Sequence, residues 1–194
     1  MPDFGVIADV SETLRIVLND ALSALAPPAS AELHDLRGNI PDMPARLTIF
    51  LYDVQEDMSQ RNRPHQRGVL PPDDLSIRKP PMALALRYLM TSWSDSRLTD
   101  HIILGRTMQV LYDDAILNGT QLAGGLALTD QALKVTMVPL SLDERSRVWF
   151  SIQKPYRLSV AYEVRVVNLD SETFDRRRPV SSRRLDYAEA EGGA

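Results

Sequence analysis

The sequence predicts a mixed α/β (α+β) fold, a single domain in which helices flank a mixed β-sheet. Three observations carry this prediction. Stretches with apolar residues every three or four positions alternate along the chain with short β-branched and aromatic stretches. The chain has 194 residues, enough to bury one core without disulfide staples. No repeat of fixed period interrupts the series.

The elements follow in order. Residues 6–25 form an amphipathic helix, with Ile7, Val10, Leu14, Val17, Leu18, Leu22 and Leu25 on one side and Asp9, Glu12, Arg15 and Asn19 on much of the other. Pro27 and Pro28 in "APPAS" end it. A weak strand is expected at 31–36. A stronger one is "ARLTIFLYDV" (45–54), apolar on both faces as a central strand would be. "MALALRYLMTSW" (82–93) has helix-forming residues, yet Pro80-Pro81 before it and "SDS" after it bound it at strand length. Ser94, Asp95 and Ser96 are candidate N-caps for a helix to about 113, striped by Leu104, Met108 and Leu111. "NGTQLAGG" (118–125) reads as a loop and 132–138 as a strand. Ser141 and Glu144 have capping-box spacing for a short helix to about 152 that buries Val148, Trp149 and Ile152.

The last strand is "KPYRLSVAYEVRV" (154–166). Strict alternation puts Leu158, Val160, Tyr162, Val164 and Val166 on a packed face, and Arg157, Ser159, Glu163 and Arg165 on a face left for water or a partner. The domain is expected to span 1–170. The remainder, 171–194, is an Arg-containing tail with few apolar residues and is expected to be disordered.

Composition removes several classes of function. Cysteine is absent, so disulfides, thiolate metal sites and a cysteine nucleophile are excluded. The net charge of −4 gives no general reason to expect nucleic acid as a partner. No apolar run approaches the roughly 20 residues that span a bilayer. The start lacks a basic stretch followed by an apolar one, which argues against a secretory signal and for a cytoplasmic site of synthesis. His34 and His101 stand without a nucleophile elbow, "NGTQLAGG" lacks the spacing of a phosphate loop, and Asp100-His101 and Asp113-Asp114 read as helix ends rather than metal ligands. Neither an enzyme nor a cofactor is expected, and no small-molecule substrate.

Two basic regions remain. The stretch 55–81 carries Arg61, Arg63, Arg67, Arg78 and Lys79 against Glu56, Asp57, Asp73 and Asp74, without evident structure of its own. It reads either as a mobile surface loop or as an arm that orders on assembly. The tail carries Arg176, Arg177, Arg178, Arg183 and Arg184 beside Phe174 and Tyr187. Such a cluster fits an ordinary solvated tail, or a module that binds nucleic acid or an acidic protein partner.

Four segments in series carry a family resemblance: "FLYDVQEDMSQRNRP" (50–64), "KPPMALALRYLMTSW" (79–93), "LGRTMQVLYDDAIL" (104–117) and "LSLDERSRVWFSIQKPYRLSVAYEVRVV" (140–167). In this order and spacing, over about residues 5–170, the chain resembles the tail-terminator, or cap, proteins of extracellular contractile injection systems. These are phage-tail-like particles with an inner tube and a contractile sheath. The resemblance implies a homo-hexameric ring that ends the tube and sheath, fixes particle length, contacts the sheath protein and the inner tube protein, and needs no cofactor. It implies that the protein, once made, becomes part of the injection particle. Under this reading the candidate subunit or partner contacts are Arg61, Asn62, Arg63, Arg67, Arg157, Arg165, Arg176, Arg177 and Arg178.

Overall fold

A computed structural model describes residues 4–70 and 74–177 of the chain. These divide into two compact units, one formed by the chain up to Asn62 together with Pro81–Asp170, the other by Arg63–Pro80 together with the chain from Ser171.

The larger unit is built on a six-stranded mixed sheet. Its elements are α1 (Val6–Ser23), β1 (Ser30–Leu33), β2 (Arg46–Glu56), and, beyond the chain of the smaller unit, β5 (Met82–Trp93), α2 (Arg97–Asp113), β6 (Ile116–Asn118), β7 (Ala132–Val138), α3 (Leu142–Ser151) and β8 (Ser159–Leu169). The strand order is β1-β2-β5-β8-β7-β6. β1 runs parallel to β2, and every other pair is antiparallel. The three long strands β2, β5 and β8 therefore sit together, and the edges fall to short β1 and β6.

One face of the sheet is covered by α1 and α2. Val10, Leu14, Leu18 and Leu22 of α1, with Ile103, Leu104 and Val110 of α2, pack on Leu47, Ile49, Leu84, Leu86, Met90, Val164 and Val167. The opposite face is covered by α3 and the segment after β1, where Leu36, Ile40 and Trp149 meet Leu89, Trp93 and Ala161. Ser96 caps α2, and Ser141 with Glu144 forms the expected capping box at α3. In the stretch expected as a loop, Gly124 has φ +58°, and a side chain there would strike the Asp9 carboxylate, which accepts the Gly125 N–H at 2.9 Å.

Two bulges interrupt the alternation. Leu51 faces Tyr88 and Asp53 faces Arg87, so Tyr52 is an extra residue in β2. Leu84 faces Val167 and Leu86 faces Val164, so Arg165 and Val166 together oppose Ala85. Beyond Arg165, Val167 takes the core position, and it is fully buried.

The smaller unit corrects the expectation of an unstructured stretch 55–81. Within that stretch β2 runs on to Glu56, Met58–Gln60 makes a 3-10 turn, and β3 (Gln66–Leu70) pairs antiparallel with β4 (Asp74–Arg78). The tail too begins as structure, since β9 (Phe174–Arg177) adds to β4 in register Leu75–Arg78 against Arg177–Phe174. These strands are short and rich in charge, so period-two patterning is weak in them. Gly68 marks the pairing, because a Cβ on it would lie 2.8 Å from Ser76 Oγ. The tail beyond Arg177, including Arg178, Arg183 and Arg184, lies outside the described residues.

Candidate functional site

The outward face expected for the last strand is not open. β8 begins at Ser159, so Arg157 precedes the strand and Leu158 lies exposed rather than in the core. α3 ends just before, and Gln153 at φ 57° turns the chain back over the sheet. The Arg157 guanidinium bonds Asp100 at 3.0 Å and Asp42 at 3.1 Å, and stacks 4.3 Å from the centre of the Trp93 ring. Asp100 is itself buried in the first turn of α2, where the helix dipole favours a carboxylate, and also accepts from Ser94 Oγ and Arg97 Nη1, each at 2.9 Å.

A second cluster crosses the central strands. Arg87 of β5 donates to Glu163 of β8 at 2.9 Å and lies 3.5 Å from Asp53 of β2, while Arg165 also bonds Glu163. Glu163 is only 6% exposed. Burial alone would raise its carboxyl, yet the hydrogen bonds from Arg87 and Arg165 outweigh that and hold it below the usual carboxylate range. The same bonds raise both guanidinium groups. On the opposite face Tyr88 bonds Ser11 at 2.9 Å, and its burial pushes the phenol up to about 12.

The remaining expected contacts are spread over both units. Arg61 and Asn62 are exposed at the end of the 3-10 turn, with Arg61 3.9 Å from Glu56. Arg67 lies on β3 opposite Ile77, whereas Arg176 lies on β9 opposite Ser76, so they project to opposite faces of the small sheet. Arg63 is half-buried, Arg177 ends β9, and Arg178 is outside the described residues. Arg67 and Arg176 are thus not on one face of the small sheet.

An apolar surface was missed by the sequence reading. α2 buries Ile103, Leu104, Val110 and Leu111 but leaves Leu98 and Ile102 exposed on its outer side, and Tyr112 is 84% exposed. Ile116 of β6 is 57% exposed, and Met108 and Met137 line a groove of about 500 Å³ with Tyr112. The available signal was that α2 carries large apolar residues on more than one side, which a single buried stripe does not require. Among the described residues no three His, Asp or Glu side chains converge as metal ligands, and no helix is long and apolar enough to cross a membrane.

The fold places the chain in a class. It matches the cryo-EM structure of the PVC sheath/tube terminator in the extended state, from an extracellular contractile injection system, with a TM-score of 0.65 at 21% identity over 97% of this chain and 65% of that one. It also matches the cryo-EM structure of the anti-feeding prophage cap, the AFP tube terminating cap, with a TM-score of 0.58 at 21% identity over 96% of this chain and 62% of that one. The chain thus has the fold of tube-terminating caps and spans just under two thirds of the length of either. Residues 9–183 match the profile of the Pvc16 N-terminal domain, and the chain belongs to that family. No curated protein matches it in sequence.

Proposed function

We propose that this chain is the terminating cap subunit of a contractile injection particle. It closes as a homo-hexameric ring on the last layer of inner tube and sheath, stops their growth and so sets particle length. The observation that carries this reading is the fold shared with the PVC terminator over 97% of the chain, together with membership of the Pvc16 N-terminal family. The role is structural, and its partners are the tube and sheath proteins.

The surface physics supports it. A closed ring repeats one heterologous contact between two different patches of the same subunit. Met108, Tyr112 and Met137 form an exposed apolar patch along the groove between α2 and β7, of the kind that marks an interface in a folded protein. They are the residues to test first for the ring contact. The interface roles of Arg61, Asn62 and Arg165 remain part of the proposal, as exposed groups that set register rather than affinity.

Electron microscopy of particles made with and without the gene tests the function. Uniform capped particles with it, and ragged or over-long ones without it, are expected. Unchanged lengths and intact ends in its absence overturn the reading. Tyr112→Asp with Met137→Asp, both at exposed positions, should leave melting nearly unchanged and abolish capping, and normal capping would remove this patch from the ring contact.

A further inference from the structure

The Asp100–Arg157 cluster forms one wall of a pocket in the larger unit, about 640 Å³ in volume and open on one side. Trp93 and Trp149 lie at its base. Both indole N–H groups are engaged, Trp93 with Thr48 Oγ1 at 2.9 Å and Trp149 with Ser159 Oγ at 3.3 Å, and Arg157 covers the Trp93 ring, so both indoles are buried beneath the pocket. The accessible apolar lining is that of Tyr156 and Leu158, both partly exposed.

The rim is positive. Arg97, Arg157 and Lys154 line the pocket, against the single carboxylate of Asp100; counting Asp42, which pairs with Arg157 from outside, three cations face two anions. The N-terminus of α2 adds its partial positive charge at the same place. In a chain of net charge −4 this is a local reversal of sign. The cations also differ in their freedom. Arg157 is fixed on Trp93 by two carboxylates, whereas the Arg97 side chain is 73% exposed and Lys154 bonds the Gly38 carbonyl and lies 5.9 Å from the centre of the Trp93 ring, with no carboxylate partner among the described residues. Two groups can therefore turn to an incoming anion without disturbing the core.

We infer that this pocket is a docking site for an acidic peptide segment of a partner protein, with an apolar side chain laid on Tyr156 and Leu158 and a neighbouring carboxylate held by Arg97 and Lys154. Charge complementarity selects the acidic segment, the exposed Tyr156 and Leu158 select a peptide with an apolar anchor, and the volume is that of a site enclosing a few side chains. The inference does not depend on the ring or on the particle.

Trp93 and Trp149 are the two tryptophans of the chain, so its intrinsic fluorescence reads this pocket directly. The full chain is titrated with an acetylated, amidated hexapeptide alternating glutamate and leucine, with its glutamine and lysine counterparts, and with a single-stranded oligonucleotide. A saturable change with the glutamate peptide alone is expected, weakened at least about tenfold by Arg97→Glu with Lys154→Glu and again at high salt. If the double variant melts early, Arg97→Gln carries the test, since that side chain is largely outside the fold. No saturable change, an equal response to the glutamine or lysine peptide, tighter binding of the oligonucleotide, or indifference to the variants overturns the inference.

Discussion

The two faces of the six-stranded sheet solve the same problem of burial in different ways. Under α1 and α2 the contacts are almost wholly aliphatic, Leu14 and Leu18 against Leu47, Leu86 and Val164, with Tyr88 and Ser11 as the buried polar pair. Under α3 nearly every apolar contact is flanked by a polar one: Trp93 to Thr48, Trp149 to Ser159, Arg87 to Glu163, Arg157 to Asp100. An aliphatic layer is insensitive to which partner each side chain meets, provided that the volume fills. A layer of paired polar groups is not, because each buried donor or charge left without its mate costs free energy. The first face supplies stability, and the second fixes register and positions the Arg157 pocket wall.

The comparison is broken most severely from the aliphatic side. Leu86→Ala, at a fully buried site in the central strand, should lose about 2–5 kcal/mol in denaturant unfolding. A loss under about 1 kcal/mol would mean that this face is not the stabilising one. On the polar side Glu163→Gln should lose on the order of 2 kcal/mol near neutral pH, since it leaves Arg87 short of its carboxylate while part of that guanidinium still meets water. The folded carboxyl of Glu163 lies below its ordinary value, so its contribution is present above about pH 4.3 and is lost as pH falls through the folded value. The gap between wild type and Glu163→Gln should therefore narrow on acidification, and a gap constant down to pH 3 would contradict the pairing. The smallest effect belongs to the helix that covers this face. Ser141→Ala removes the cap of α3 and should cost about 1 kcal/mol, read in thermal unfolding with the β-sheet signal unchanged.

The two faces also differed in how well the sequence disclosed them. The α1 stripe was legible because burial of one aliphatic face imposes a period that survives in the order of residues, the strand at 45–54 because its β-branched and aromatic residues are apolar on both faces, and the strand at 82–93 because Pro80-Pro81 and Ser94-Asp95-Ser96 bound it. The α3 face was not legible in that way. Ser159, Ala161 and Glu163 have the small or polar character of a solvent face, yet all three are buried, because α3 folds back over the strand that follows it. Arg157 is the sharpest case. Its charge pointed outward in the sequence reading, and only the long-range positions of Asp42 and Asp100 reveal that it is held inward. In the candidate site, Arg157 and Glu163 were assigned to an outward face that the structure closes. Local order cannot show which distant carboxylate an arginine will meet, and the charged strands of the smaller unit gave no period to read.

The two bulges bear on how the chain can change its length. At Tyr52 in β2, and at Arg165–Val166 in β8, two successive residues oppose one residue of β5. Losing one residue at either place returns the strand to regular pairing with every later side chain on its present face. Losing or gaining one residue elsewhere in β2 or β8 sends the rest of the strand through the sheet, aliphatic side chains to the polar layer and charges to the aliphatic one. Insertions and deletions within these strands should therefore collect at those two places in related chains, and be missing from the rest.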